Sequence, residues 1–513
     1  MPLTRLLVPS PFHALPSPVL SSLHRWLPLV LIATAALWLR TTELARRPMH
    51  ADEANQAVKL GQLLDTGDYA FDPADHHGPT LYFLAVPLAW LRNETSLATL
   101  TETTVRLLPA LAGTLAVLLL SALASPPTEP TANTPPHHSR LLPFTAAIFL
   151  TVSPPAVYYS RYFIQETLLL AFTLATFLFA QRWWRTAYLR WALLTGVSIG
   201  LMQATKASAP LFLLCAVLAA LPLLLRRSPA SPARASLPRH GLLALAAALF
   251  TAAIFYSSFF THLAGLRDAL ATYTHASSRA VGETGHEKPF AYYFQLLAFH
   301  RAGGLTFHQI PFLALAAIGA FFAFRRHASP LLRWAALYTL LVALALSLTP
   351  YKTPWHVIHL VPGLSLLAAG AIATLRPWWL AAALGAFALT IQIKQTQLTS
   401  FLRPADARNP YAYVHSSPDV LKLRALADST LATSPDAVIR VIATEYWPIP
   451  WYLRGLEKNV GYWSAPPADS DAALIIASAD LADSVRPRLT GNYRESLLGL
   501  RPGVLCVVFT REP

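Results

Sequence analysis

Met49-His50-Ala51-Asp52-Glu53-Ala54 follows closely on an apolar run of membrane length at about residues 26–42, with Arg46 and Arg47 between the two. A second polar knot, Asp72-Pro73-Ala74-Asp75-His76-His77-Gly78-Pro79, comes shortly after. Ionisable groups beside hydrocarbon are costly and usually functional, so two adjacent carboxylates at the end of a span need a reason. The surrounding chain supplies the context. Of 513 residues, 54% are hydrophobic and 13% charged, against a usual charged share of about 25%. With a mean hydropathy of +0.42, this is the composition of a polytopic membrane protein.

Further apolar runs lie at about 104–124, 141–157, 166–181, 190–204, 209–225, 241–261, 305–324, 331–348, 356–374 and 377–394. With the first they make eleven expected spans, each near the roughly 17–25 residues a bilayer requires. Leu27–Leu39 could imitate a signal-peptide core, but no small-residue cleavage site follows, so it reads as an uncleaved span. Leu81–Leu91 is apolar but short and holds Pro87, which makes it an interfacial helix of a first external loop at 43–103. Alternate loops then carry Arg140; Arg182, Arg185 and Arg190; Arg226, Arg227, Arg234 and Arg239; Arg325, Arg326 and Arg333; and Arg376. Positive loops stay inside, so the N-terminus is expected in the cytoplasm and the C-terminus outside the plasma (inner) membrane. The same placement explains the net charge of +14 without nucleic acid.

The spans and their loops form a membrane domain over residues 1–394. After about residue 395 the texture changes. Helix-like Asp419–Leu431 and Leu481–Leu489 alternate with strand-like Val438–Ala443, Ala472–Ala477 and Val504–Phe509. This predicts a small external α/β domain over 395–513, and it holds no phosphate-cradling glycine loop or nucleophile elbow. Cys215 and Cys506 are the two cysteines, too few for a disulfide framework or a zinc ribbon. Ser125–Pro136 and Ser228–Pro238 read as connectors.

The unusual polar groups fall on one face, the external one. They are Asp52, Glu53, Asp72, Asp75, His76 and His77; then Arg161 and Glu166; then Lys206; then Tyr351, Lys352, Trp355 and His356. Convergence there suits transfer of a sugar from a lipid phosphate. Arg and Lys stabilise the charge that develops on a phosphate leaving group. A carboxylate takes the proton of an acceptor hydroxyl. Asp52 is the candidate base, Glu53 positions the acceptor or the loop, and Trp355 with Tyr351 can flank a prenyl phosphate at the interface. Plainer readings stand beside these. Asp52 and Glu53 could cap a helix through Ala54–Leu64. His76 and His77 could be a polar loop pair, Lys206 and Lys352 interfacial anchors, and Arg161 with Glu166 a structural ion pair. A divalent cation on His50, Asp52, His77 or Glu166 is open, without a tight metal-binding spacing to support it.

Several of these pieces together resemble one family. Met49–Ala54, His77-Gly78-Pro79-Thr80-Leu81-Tyr82-Phe83, Arg106–Thr114, Ser160–Glu166, Ala204-Thr205-Lys206, Pro350–Trp355 and Tyr411–Val420 look like the GT-C superfamily of polyprenyl-phosphate-sugar glycosyltransferases. The likeness is to the protein O-mannosyltransferase and aminoarabinose-transferase branch, nearest to the flippase-activity-associated membrane proteins. It implies a mainly helical GT-C membrane fold and an inverting hexosyl or pentosyl transfer from a polyprenyl (undecaprenyl-type) phosphate. The external acceptor would be a glycan, lipid or protein. It also implies that Asp52 is the catalytic base, that Arg161 and Glu166 face the site from a second external loop, and that Lys206 and Lys352 contact the donor phosphate. Glu166 stands single where oligosaccharyltransferases have an Asp-x-Glu pair. Two rivals make distinct demands. A non-enzymatic helper of lipid-linked sugar translocation would keep the phosphate contacts without needing a base. An ion-coupled transporter would put its charges at mid-membrane, where this chain has almost none.

Overall fold

The structure, a computed structural model, describes residues 18–74, 77–125, 138–224, 232–281, 285–325 and 328–512. Of the expected connectors Ser125–Pro136 and Ser228–Pro238, residues 126–136 and 228–231 lie outside the described residues, as do Asp75 and His76 of the second polar knot. Residues 232–238 are not a connector but open a helix, since Pro232 and the residues after it begin its first turns.

Every expected apolar run contains a helix. The chain begins with α1 (Pro18–Thr41), α2 (Ala51–Thr66), α3 (Thr80–Leu91), α4 (Glu102–Ala124), α5 (His138–Thr151) and α6 (Pro154–Tyr159). It continues with α7 (Glu166–Thr186), α8 (Leu189–Gln203), α9 (Ala209–Leu224), α10 (Pro232–Tyr256), α11 (Ala264–Val281) and α12 (Tyr292–Ala298). A hairpin of β1 (Phe299–Ala302) and β2 (Leu305–His308) precedes α13 (Ile310–Ala323), α14 (Pro330–Leu348), α15 (Val361–Thr374) and α16 (Trp378–Gln397). Among the described residues four helical stretches are each long and apolar enough to cross a bilayer by length and composition: Glu102–Ala124, Ala235–Tyr256, Pro330–Leu348 and Pro354–Thr374.

Three expected runs are not single helices. The 141–157 run breaks at Val152-Ser153, because Pro154 and Pro155 have no N–H to continue α5 and instead open α6. The 356–374 run starts as a 3-10 turn at Pro354–His359 before Pro362 seats α15. The 305–324 run spends its first residues in β2. Each break falls toward an end of its run, and the 3-10 turn carries Trp355 and His356.

Helix surfaces sort by neighbour. On α10, Leu242, Leu245, Leu249 and Phe250 are exposed, a face suited to acyl chains. Its inner face packs on Gly196 and Gly200 of α8, where a Cβ would stand 2.1 Å from the Ala244 carbonyl oxygen and 2.4 Å from that of Ala248. Small residues let these backbones touch, which is how helices associate without a hydrophobic driving force.

The C-terminal domain holds α17 (Lys422–Thr433), β3 (Ile439–Ile442), α18 (Ile449–Tyr452), β4 (Val460–Trp463), β5 (Leu474–Ser478), α19 (Ala479–Val485), β6 (Tyr493–Arg501) and β7 (Val504–Arg511). Its sheet has the order β4-β3-β5-β7-β6, with β3 parallel to β4 and β5, and β7 antiparallel to β5 and β6. Alternation divides the strands between two cores. Ile439, Val441, Leu474, Ile476 and Val508 join a cluster that also holds Trp451 of α18 and Ala57 and Leu60 of α2. Ile442, Ile475, Ala477 and Phe509 pack on α19 through Ala482 and Val485. The sheet is thus fused to the first-loop helix α2 by one continuous core. The sequence reading missed β4, which is four residues with Gly461 inside, and β6, whose Arg494 and Glu495 hide its alternation.

Candidate active site

Helix α2 begins at the acidic pair, and its first turn separates the two carboxylates. His50 is the N-cap: its Nδ1 accepts from the Asp52 amide at 3.1 Å, while its own amide donates to Glu53 Oε2 at 3.1 Å. The His50 Nε2–H donates to the Tyr413 carbonyl at 3.0 Å, which fixes a single neutral tautomer and ties α2 to the start of the C-terminal domain.

Glu53 points inward and is fully buried. Arg106 of α4 grips it with Nε on Oε1 at 2.8 Å and Nη2 on Oε2 at 2.9 Å. Arg47 lies 3.2 Å away, and the Phe163 amide donates to Oε1 at 3.0 Å. Burial alone would raise this carboxyl's pKa, but the charges of Arg106 and Arg47 and these hydrogen bonds hold it well below the usual range. Arg106 also donates to the carbonyls of Leu44, Arg47 and Pro48. Glu53 therefore fastens the loop, and of the two roles expected for it the geometry serves that one. It has no face toward a substrate.

Asp52 turns the other way. Its side chain is 54% exposed and lines a cavity of about 420 Å³. The same wall carries His77, Glu166, Lys206, Tyr351, Trp355 and His356, so the structure brings most of the candidate residues together. Lys206, in the turn between α8 and α9, forms an ion pair with Glu166 at the start of α7. His356, on the 3-10 turn before α15, sets Nε2 3.4 Å from Lys206 Nζ and 3.8 Å from Glu166 Oε1. Ile164, Leu211, Phe212 and Leu346 give the cavity its apolar side.

The Lys206 turn is held by the second polar knot. The amides of Gly78 and Thr80 donate to the carbonyls of Thr205 and Ala204 at 3.1 and 3.2 Å, and the Thr80 and Thr205 hydroxyls meet at 2.8 Å. Gly78 is required here, because a Cβ would stand 2.1 Å from the Ala204 carbonyl oxygen.

Two expected phosphate contacts lie elsewhere. Arg161 neither pairs with Glu166 nor lines the cavity. Its guanidinium donates to the carbonyls of Leu39, Thr42 and Glu43 and sits 4.6 Å from the Phe401 ring centroid. Burial, then Arg47 and Arg106 nearby, push its pKa down to about 9. Lys352 is buried, and its ammonium donates to the carbonyls of Lys288 and Thr349. Lys352 staples the 349–355 loop to residues 286–288, where Lys288 N also donates to the Pro350 carbonyl at 3.2 Å. Both residues were read as site cations because a sequence shows charge without direction.

Other groups escaped the sequence reading. Gln56 lies one turn after Asp52 on the same face of α2, a spacing that could have marked it. Its side-chain oxygen accepts from Gln165 Nε2 at 3.1 Å and from the Tyr82 hydroxyl. Thr272 and His275 of α11 also reach the cavity. From the C-terminal domain, Arg501 pairs with Glu445, and its pKa, lowered by burial, is raised in part by the Asp52 charge. Among the described residues no three His, Cys, Asp or Glu side chains stand close enough to hold a metal ion; Asp52, His77 and Glu166 share the cavity without forming such a group.

Comparison with known proteins follows this geometry. Residues 82–262 match the family model described as dolichyl-phosphate-mannose-protein mannosyltransferase. No curated protein matches the chain. ArnT from Cupriavidus metallidurans, solved bound to undecaprenyl phosphate, is similar with a TM-score of 0.61 at 15% identity, over 94% of this chain and 97% of that one. The oligosaccharyltransferase AglB from Archaeoglobus fulgidus, in complex with an inhibitory peptide and a dolichol-phosphate, gives 0.54 at 13% identity, over 90% and 70%. The arabinofuranosyltransferase AftD from Mycobacteria gives 0.51 at 13% identity, over 96% and 40%. These matches support the GT-C reading and give no specific support to the narrower flippase-activity-associated branch. The chain is a polytopic membrane protein of the GT-C fold with a small C-terminal sheet domain, and its residues 82–262 match the mannosyltransferase family.

Proposed function

We propose that the protein is an inverting glycosyltransferase that moves a sugar from a polyprenyl phosphate to an acceptor hydroxyl or amine at the membrane surface. The observation that carries this reading is the pairing, in one cavity, of a half-exposed carboxylate on a rigid helix start with a buried cation. Asp52 takes the acceptor proton as the acceptor oxygen or nitrogen attacks the anomeric carbon. The bond from that carbon to the phosphate oxygen breaks, and its electron pair leaves on the phosphate. Lys206 stabilises that charge, and His356 lines the same corner. Glu53 is withdrawn into its arginine grip, and among the described residues that line the cavity the carboxylates are Asp52, which serves as the base, and Glu166, which faces the phosphate corner beside Lys206. A single displacement with inversion follows.

The apolar wall of Ile164, Leu211, Phe212 and Leu346 suits the first isoprene units, with Tyr351 and Trp355 at the rim. That ArnT was solved with undecaprenyl phosphate and AglB with dolichol-phosphate supports a polyprenyl phosphate as the carrier on which the sugar arrives. The arginines of the alternate loops support a reading in which the cavity and the C-terminal domain face the external, periplasmic side of the inner membrane and the N-terminus the cytoplasm. The acceptor, a glycan, lipid or protein, meets Asp52 from the side of Tyr413 and Arg501. Asp52→Asn tests the reading: transfer in a membrane assay should fall by about 10²–10⁴-fold while the protein still folds. Full activity of that variant would end the proposal.

A further inference from the structure

The ion pair of Lys206 and Glu166 occupies the corner where a phosphate is needed. Lys206 is 8% exposed and Glu166 1%, and both line the cavity with His356. A buried ammonium without an anion is strongly disfavoured, and in this cavity Glu166 is that anion. Its situation differs from that of Glu53. A carboxylate has room for about four hydrogen bonds, and Glu53 receives its donors from Arg106, Arg47 and two backbone amides. Around Glu166 the cation is Lys206, and the His356 ring nitrogen 3.8 Å away carries no charge when it accepts from Lys206. Lys206 has three N–H groups, and Glu166 and the His356 ring nitrogen account for two. Among the described residues none takes the third, which can meet an incoming oxygen.

We infer that Glu166 is an internal counter-anion that holds the place of the lipid phosphate and makes the site discriminate by phosphate charge, binding a phosphodiester more tightly than a phosphomonoester. This rests on the glycosyl-transfer reading for the identity of the two ligands. A sugar phosphodiester carries one negative charge, which Lys206 balances while Glu166 gives way. Once the sugar leaves, the same phosphorus bears a monoester with up to two charges near neutral pH. The second charge then stands beside the Glu166 carboxylate in a poorly screened corner, where like charges repel strongly. The spent carrier is therefore held less tightly than the donor, and on its departure Glu166 closes back on Lys206. Glu166 is a specificity residue that acts through charge and takes no proton from the acceptor.

The test is binding of two lipids to the full chain in detergent micelles, radiolabelled undecaprenyl phosphate and its methyl diester, with inorganic phosphate as competitor. Wild type should prefer the diester. Glu166→Gln should tighten the monoester about tenfold and the diester much less, so that the preference shrinks or reverses. Inorganic phosphate should compete better against Glu166→Gln than against wild type, which assigns the effect to the phosphate and not to the prenyl chain. Lys206→Gln should weaken both lipids about tenfold or more. Should Glu166→Gln fail to fold, Glu166→Asp, which withdraws the carboxylate by one methylene, should shift the ratio the same way by a smaller factor. An unchanged monoester-to-diester ratio in a folded Glu166 variant overturns the inference while leaving the glycosyl-transfer reading intact. Failure of wild type to bind either lipid overturns that reading as well.

Discussion

Glu53 and Glu166 are both buried carboxylates paired with basic side chains, within one short stretch of space beside the membrane. They differ in how completely they are satisfied. Glu53 is wrapped by two arginines and two backbone amides drawn from α4, the chain before α2 and the segment before α7. Glu166 meets one lysine and one histidine and borders empty space. The first arrangement can only hold the fold together. The second can exchange its partner for a ligand. Burial and charge pairing alone do not tell structure from function; the number of remaining hydrogen-bond partners, and whether they face a cavity, does.

The sharpest way to break this comparison on the structural side is Glu53→Gln. Removing one partner of a buried ion pair leaves the others uncompensated, so about 3–5 kcal/mol of stability should be lost, read as a lower midpoint in thermal melts monitored by circular dichroism. The pH dependence follows from the same network. Glu53 has a folded-state pKa below its unfolded value, so its contribution is present above the ordinary carboxylate range and is lost as pH falls through the folded value. Wild type should lose stability steeply on acidification, and Glu53→Gln should show a shallower acid limb. An equally steep limb would mean that other carboxylates carry the acid sensitivity.

Gly78→Ala should come next, at about 1–3 kcal/mol, since the added methyl meets backbone that cannot move away. Because the strain falls on the Lys206 turn, weaker lipid-phosphate binding should accompany it; a destabilised variant with unchanged affinity would separate the knot from the site. The smallest effect is expected for Lys352→Met, about 1–2 kcal/mol from two abandoned carbonyls. Donor affinity should not change, and a large loss of affinity would restore Lys352 to the site.

Much of this was legible in the sequence, for identifiable reasons. Spans announce themselves by length and apolarity, so each run at its expected place contains a helix; only the prolines at 154–155 and 354 and the hairpin at 299–308 altered their ends. Asp52, His77, Glu166, Lys206, Tyr351, Trp355 and His356 were gathered by the argument that rare polar groups share one membrane face, and they line one cavity. The same argument could not give direction. Arg161 and Lys352 lie close to the site in sequence, yet their side chains turn to backbone carbonyls. The helical turn that sends Asp52 to the cavity and Glu53 to Arg106 is set by the His50 cap, whereas the sequence offers Asp52 and Glu53 as the capping residues. Gln165 carries no charge and leaves no signal against its background, and Gln56 has only its one-turn spacing from Asp52 to mark it.

The central claim is that Asp52 is a base and not a structural acid like its neighbour. The most direct measurement compares Asp52→Asn with wild type for turnover and for lipid-phosphate binding in the same purified preparation. The account predicts retained folding and binding with turnover reduced by about 10²–10⁴-fold. Turnover equal to wild type, or loss of binding in parallel with loss of fold, would contradict it.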